Sequence, residues 1–320
     1  AGVAHDSAAI FRELTMPLSF SSLSQQQRGT LLGISAYLIW GFAALYWVMA
    51  IPVPPTDLLA HRAFWSLPFV CLVLVLSGRL RSALALLKQP RTLGIMSMAA
   101  CFVAANWLIF LWAITNAKAT EAALGYFLLP LVNVVIGLTL FKETLGGAQK
   151  IAVGFALAAV VLQFAFYGGL PLVALALSFT FGMYGAIRKR VSVESMEGLF
   201  IETLLMAPFA LAWLIYRDGA GLGQYGLKVD LVLLGAGAFT AIPLLTYVAA
   251  SRLLPLTALG LVFYIGPTAQ LLVAVLVFKE PFSALQLVAF GLVWAGLAIV
   301  TLDNLRRARN RRRLLEYPAK

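Results

Sequence analysis

Charged residues and metal-binding residues are scarce in this chain of 320 residues. Only 12% of the residues are charged, and there are two cysteines and two histidines. Two cysteines cannot build a disulfide framework or a four-thiolate metal site, and the histidines, His5 and His61, are too far apart for the His-Glu-x-x-His motif of zinc peptidases. Phosphate-binding glycine loops and Gly-x-Ser-x-Gly nucleophile motifs are also absent from the sequence. The sequence therefore predicts no enzyme active site, no metal site and no cofactor.

Hydrophobic residues, by contrast, make up 62% of the chain, against roughly 45–50% in soluble globular proteins. A helix that spans a bilayer needs about 20 predominantly apolar residues. The apolar runs lack the alternation of polar and apolar residues that a membrane β-barrel requires, as residues 69–76 illustrate. We therefore predict an all-α membrane protein with ten transmembrane helices. The predicted segments are 31–50, 58–77, 92–114, 120–140, 149–167, 170–187, 197–216, 229–250, 256–278 and 284–302.

Basic residues outnumber acidic residues, with 24 Lys and Arg against 13 Asp and Glu. With ten spans, 19 of the 24 cations fall on the side that carries both termini. Because cytoplasmic loops of membrane proteins are rich in Lys and Arg, both termini are predicted to be cytoplasmic. Residues 1–27 are interpreted as a flexible tail. The arginine-rich segment 304–320 is interpreted as a basic cytoplasmic tail that contacts anionic lipid headgroups rather than nucleic acid.

The second half of the chain repeats the first at an offset of 137 residues. Tyr126–Pro130 aligns with Phe263–Pro267, and Phe141–Glu143 aligns with Phe278–Glu280, with no gap between the two motifs. Identity at the Phe-Lys-Glu triplet and at the two prolines supports a true repeat more strongly than the apolar residues do, because apolar segments resemble one another by composition.

The repeat divides the chain into halves of five predicted spans each, residues 28–167 and residues 168–303. Because five is odd, the second half must lie inverted in the membrane relative to the first. Inverted repeats are typical of secondary transporters, which bind substrate near the middle of the membrane where the two halves meet.

Ionisable residues at membrane depth are costly and by default indicate a functional site. We interpret Glu121 and Glu202 as candidates for proton coupling, with ion pairing to Arg188–Arg190 as the structural alternative. Arg62 is a candidate ligand contact, and its alternative is extension to the outer membrane interface. The remaining candidates for substrate contact or coupling are His61, Asn106, Trp107, Tyr126, Asn133, Tyr184, Tyr264 and Gln270.

Pro130 and Pro267 occupy matching positions in the two halves. A proline inside a helix frees the carbonyl four residues earlier, which for Pro130 is that of Tyr126. Two kinked helices at matching positions are typical of a transporter site near the membrane midplane. The alternative, in which both kinks only shape the helix bundle, stays open.

Seven motifs follow one another along residues 28–303. They are Leu59–Ser66, Asn106–Ala113, Glu121–Phe127, Pro130–Asn133, Phe181–Lys189, Ile201–Thr203 and Tyr264–Thr268. In order and spacing they resemble the RarD branch of the EamA-type drug/metabolite transporters. The resemblance implies a bacterial cytoplasmic-membrane permease with two EamA repeats. Members of this branch are called chloramphenicol-sensitivity proteins, and relatives in the superfamily export amino acids and other metabolites.

These features favour a secondary active transporter that exports small amphipathic drugs or metabolites, such as chloramphenicol-like compounds or amino acids, by alternating access. The alternative function is that of a membrane scaffold without transport activity. The expected partners are a small-molecule substrate and the lipid bilayer, with no nucleic acid, and a homodimer is left open. The predicted location is the bacterial inner membrane, and no cofactor other than a coupling proton is expected.

Overall fold

The computed structural model describes residues 24–142, 144, 146–167, 170–254 and 262–316, and these residues form helices without any strand. Helices α1 to α4 are Gln25–Gly41, Ala43–Val48, Pro55–Leu76 and Leu80–Leu86. Helices α5 to α8 are Pro90–Thr115, Ala119–Leu140, Gly147–Tyr167 and Leu172–Arg188. Helices α9 to α12 are Ser195–Tyr216, Leu227–Leu253, Ile265–Leu272 and Ala284–Glu316, and a π-helical turn, Val273–Val277, follows α11.

The predicted N-terminal tail extends too far into the chain. Residues 1–23 lie outside the described residues, but 25–27 already form the first turn of α1. The Ser24 hydroxyl accepts a hydrogen bond from the Gln27 N–H at 3.2 Å, and the Ser24 N–H donates to Gln27 Oε1 at 2.9 Å. This reciprocal capping box fixes the start of the helix. At the other end α12 continues to Glu316, so the described part of the basic tail is helical, and 317–320 lie outside the described residues.

Seven stretches of the described residues are long and apolar enough to cross a membrane. They are Gln25–Val48, Pro55–Leu76, Pro90–Thr115, Ala119–Leu140, Ser195–Tyr216, Leu227–Ser251 and Ala284–Asp303. The other predicted spans correspond to shorter apolar helices, Gly147–Leu162, Leu172–Arg188 and Ile265–Val277. An all-helical protein with multiple apolar helices is therefore confirmed, while the ten-span inverted arrangement stays a prediction.

Local backbone geometry repeats at the same offset as the sequence. Lys142 and Lys279 both adopt the left-handed conformation, with φ of 52° and 57°. Gln149 Oε1 accepts a hydrogen bond from the Gly146 N–H at 2.9 Å, and Gln286 Oε1 accepts one from the Ser283 N–H at 2.8 Å. Residues that carry a Cβ adopt a positive φ reluctantly. The matching conformations of the two lysines therefore support a common structural unit in the two halves.

The helices pack into groups that mix the two halves of the chain. In the first group, α10 packs along both α1 and α3, and α3 packs along α9. In the second group, α8 packs between α5 and α6. Helices α7 and α12 form a separate pair, and α11 bridges α1 and α6. We call the boundary where α3 and α9 of the first group meet α5 and α8 of the second group the seam.

A glycine allows α3 and α10 to approach closely. A Cβ at Gly237 on α10 would lie 2.8 Å from the backbone nitrogen of Ser66 on α3 and still closer to the carbonyl of Trp65. Small residues at helix contacts are typical of membrane bundles, where close backbone approach increases the van der Waals packing. Because Gly237 has no side chain, α10 packs directly against the backbone of α3.

We expect Gly237→Ala to destabilise the protein by about 1–3 kcal/mol, because a methyl group at this position forces the two backbones apart. The measurement is the midpoint of thermal unfolding in detergent. Gly291→Ala is the matched control, since a Cβ at Gly291 on α12 would meet no atom within 4 Å. An equal change in the two variants would contradict the close packing at Gly237.

Candidate functional site

Arg62 lies at the seam, about 10 Å along α3 from its first residue. Its guanidinium carbon is 4.0 Å from the centre of the Trp107 ring on α5 and 5.4 Å from that of Trp47 on α2. Arg62 Nε donates a hydrogen bond to Thr240 Oγ1 on α10 at 3.1 Å. Within the described part of the chain, no carboxylate oxygen lies within 4.0 Å of the Arg62 nitrogens. Arg62 and Trp107, both predicted site residues, are therefore brought together across the seam.

Tyr126 and Asn106 lie on the second group beside this cation. The Tyr126 hydroxyl donates to Asn106 Oδ1 at 3.3 Å, and Asn106 Nδ2 donates to Leu177 O and Thr180 Oγ1, each at 3.0 Å. Asn106 is buried and uses its amide entirely within the protein. Tyr126 is half-buried and lies within electrostatic range of Arg62. Asn106 therefore orients Tyr126, while Tyr126 keeps part of its surface exposed.

Glu202 is the buried acid of the seam, with 1% of its surface exposed. It lies on α9, and its two partners lie on α8. The Tyr184 hydroxyl donates to Glu202 Oε2 at 3.3 Å, and Arg188 Nε is 3.6 Å from Glu202 Oε1. Arg188 Nη1 also contacts Met96 Sδ at 3.1 Å. Glu202 therefore links the two groups. Its pairing with Arg188 is the ion pair that the sequence offers as the alternative to proton coupling.

Glu121 has a different role, at the end of a helix. Its Oε1 accepts a hydrogen bond from the Val173 N–H at 2.9 Å, and its Oε2 is 3.7 Å from Lys118 Nζ. Val173 belongs to the first turn of α8, whose N–H groups have no partner inside the helix. A carboxylate at a helix N-terminus is stabilised by these donors and by the helix dipole. The contacts of Glu121 thus favour a capping role over proton coupling.

Sequence reasoning misses Glu280, which caps another helix. Its Oε1 accepts from the Ala119 N–H and its Oε2 from the Thr120 N–H, each at 2.7 Å. Ala119 and Thr120 are the first two residues of α6. The signal was present in the repeated Phe-Lys-Glu triplet, which served only to align the halves. Its counterpart in the first half, Glu143, lies outside the described residues.

His61 is bonded within the protein and does not face the seam cation. Its Nε2 lies 3.2 Å from both the Gly219 and the Ala220 carbonyl oxygens, and its Nδ1 accepts from Trp65 Nε1 at 3.3 Å. This pattern requires a neutral imidazole with its proton on Nε2. His61 is buried and fastens α3 to the loop after α9.

Ion pairs hold α3 to α9 at both ends. Near the start of α3, Asp57 Oδ2 is 3.5 Å from Arg217 Nη2. Beyond the other end of α3, Arg79 pairs with Glu194, and its Nη2 lies 2.7 Å from Glu197 Oε1. The hydrogen bond to Glu194 raises the pKa of the Arg79 guanidinium. These ion pairs at the two ends join α3 and α9.

The remaining predicted residues lie apart from Arg62 and Glu202. Gln270 is buried and donates to a backbone carbonyl of α1 at 3.3 Å, Asn133 is exposed, and Tyr264 is half-buried. Pro130 lies inside α6, but Pro267 lies in the first turn of α11, where a missing N–H breaks no helical hydrogen bond. The two prolines therefore occupy different helical contexts, and two equivalent kinks stay a prediction.

A groove of about 740 Å³ lies between α3, α5 and α9. Its walls are mainly small and apolar, and Phe209 on its rim is 79% exposed. The small residues that line it are Ala60, Ala63, Ser97, Ala100, Cys101, Ala104 and Ala210. The groove parts α5 from α9 where Ser97–Ala104 face Leu205–Trp213, while Met96 and Val103 of α5 share a hydrophobic cluster with Leu199 and Phe200 of α9, so the seam is open over part of its length.

We expect Glu280→Ala to lower the stability by about 1–3 kcal/mol, because it leaves two buried N–H groups at the start of α6 without acceptors. Glu280→Gln keeps one acceptor oxygen and should lose less. The midpoint of thermal unfolding in detergent measures both changes. Unfolding of Glu280→Ala at the wild-type temperature would contradict the capping role.

Comparison with known proteins adds a second line of evidence. The model of the EamA-like transporter family matches the chain twice, over residues 27–165 and residues 170–302, which places one match in each predicted half. A solved crystal structure of a protein that is 22% identical aligns with a TM-score of 0.58 over 87% of this chain and 98% of that chain. This structural likeness supports the fold alone.

Three relatives are similar over nearly their whole length. Protein RarD of Salmonella typhi is 38% identical over 90% of this chain and 99% of that protein. The uncharacterized transporter YojE of Bacillus subtilis is 36% identical over 88% of this chain and 96% of that protein. The chloramphenicol-sensitive protein RarD of Pseudomonas aeruginosa is 32% identical over 89% of this chain and 97% of that protein. The chain therefore belongs to the EamA-like transporter family, in its RarD branch.

Proposed function

We propose that the protein is a secondary active transporter that carries small amphipathic molecules through the seam by alternating access. The observation that carries this proposal is a difference between two equivalent interfaces. At the repeat offset of 137 residues, α3 in the first half corresponds to α9 in the second half, and α5 corresponds to α10. The interface between α3 and α10 is therefore the counterpart of the interface between α9 and α5.

These two counterpart interfaces are packed differently. Helices α3 and α10 pack closely and touch through Gly237, whereas α9 and α5 share a hydrophobic cluster over one part of their length and are parted by the groove over another. In a transporter built from repeats, exchange of the two arrangements converts one access state into the other. One closely packed and one partly open copy of the same interface is therefore what alternating access predicts for a single state.

Glu202 is the proposed coupling group, and this assignment rests on its contacts across the seam. Its carboxylate pairs with Arg188 and accepts from Tyr184, and both partners belong to the other helix group. Protonation would remove the charge that attracts Arg188 and would so weaken the link between the groups. A proton could in this way change the freedom of the two groups to move.

The proposed setting is the bacterial inner membrane, with both termini in the cytoplasm and outward transport. The excess of Lys and Arg on one side of the predicted spans supports this orientation. The contacts agree with the predicted sides, since Arg79 pairs with Glu194 on the basic side while Asp57 pairs with Arg217 on the other.

Reconstitution in liposomes tests the function directly. Labelled amino acids and chloramphenicol are offered to proteoliposomes with and without a pH gradient, and empty liposomes are the control. We expect saturable flux that depends on the protein and is stimulated by the gradient. A membrane scaffold would show no such flux across the panel.

For coupling, we expect Glu202→Gln to abolish stimulation by the pH gradient while flux down a substrate gradient continues. The amide keeps an acceptor for Tyr184 but cannot take up a proton. Glu121→Gln is the matched control, and it should keep the stimulation because Glu121 caps α8. Unchanged stimulation in Glu202→Gln would remove Glu202 from the coupling mechanism.

A further inference from the structure

Arg62 carries a positive charge in the membrane-spanning part of the chain without an acidic partner. Among the described residues its only hydrogen-bond acceptor is Thr240 Oγ1, which binds Nε. The N–H groups on the two terminal nitrogens therefore have no acceptor within this part of the protein. Arg62 is half-buried, whereas Trp47 and Trp107 beside it are buried, so the Arg62 side chain keeps part of its surface exposed.

The contacts that Arg62 does make use only part of its hydrogen-bonding capacity. The rings of Trp107 and Trp47 attract the cation but accept no hydrogen bond from its terminal nitrogens in the plane of the guanidinium. A cation at membrane depth is costly unless a counter-charge or other polar groups compensate it. Three arginines of the described residues, Arg79, Arg188 and Arg217, each pair with an acid of α3 or α9 or of the residues next to these helices. Arg62 differs from them because it has no acidic partner among the described residues.

We propose that the substrate supplies the missing charge, and that it is a small organic acid whose carboxylate binds the terminal nitrogens of Arg62. A guanidinium presents two parallel N–H groups that match the two oxygens of a carboxylate. Trp107 and Trp47 are buried against the cation, whereas Tyr126 beside it is half-buried and can present aromatic surface to the body of the substrate. An apolar or aromatic carboxylate satisfies both surfaces.

This assignment rests on the proposed transport function and names its substrate class. It also explains why the site lies at the seam. Arg62 belongs to the first group, whereas Trp107 and Tyr126 belong to the second. A ligand that contacts Arg62 and these aromatic residues therefore contacts both groups. The carboxylate would compensate a charge that is otherwise costly to hold away from water without a partner.

The experiment compares acids with their own amides. 3-Phenylpropionate and indole-3-propionate are each titrated beside the corresponding primary amide into the purified protein in detergent, and binding is followed by calorimetry. A charge-assisted hydrogen bond contributes about 1.5–3 kcal/mol, so we expect each acid to bind at least about tenfold more tightly than its amide. Arg62→Gln should abolish this difference, and Arg62→Lys should retain part of it. Arg81→Gln, which removes an exposed cation, is the control and should leave the preference unchanged.

Equal affinity for acid and amide in the wild type, or no binding of either acid, would overturn the proposal without any variant. A preference that survives in folded Arg62→Gln would assign the charge recognition to another residue. The same compounds are then tested for flux in proteoliposomes. Saturable flux of neutral compounds with no acid preference would refute the carboxylate assignment but leave the transport function intact. Acid binding at Arg62 without flux would refute the transport function alone.

Discussion

A lipid bilayer provides no water for polar groups, so each polar atom inside it must find its partner within the protein. This constraint explains most of the polar contacts described above. Glu121 and Glu280 satisfy helix ends, His61 bonds to two carbonyls, and Glu202 pairs with Arg188. Each of these residues looks functional in the sequence or escapes notice, yet each serves to hold helices together. Arg62 differs from these residues because no acid of the described residues balances its charge.

The sequence predicts the helices well because apolar length is a local property. It predicts the partners of the polar residues poorly, because partners depend on which helices become neighbours. Glu121 and Glu202 both follow a helix start and cannot be told apart by sequence, but one caps α8 and the other lies in the seam. Arg62 and Trp107 were both candidates, and only the packing of α3 against α5 brings them within 4.0 Å. Glu280 was missed because it lies beyond the apolar segments.

The mixing of the two halves within each helix group has a mechanical meaning. Ion pairs at both ends join α3 to α9, and α10 packs closely against α3 at Gly237. The second group meets the first group through Arg62 and Trp107, through Glu202 and its partners, and along the groove. Motion between the groups must therefore alter the surroundings of one cation and one acid. Substrate binding and protonation would act on the same boundary.

The cap on α6 also has a consequence for biosynthesis. Glu280 and Ala119 are separated by 161 residues in the chain. At a synthesis rate of about 5–20 residues per second, roughly 8–32 s pass between the appearance of the helix end and that of its cap. During this interval the start of α6 lacks its two acceptors, even if the rest of the first half has already folded. A chain that ends before residue 280 would therefore lack the cap on α6 even though all of α6 had been made.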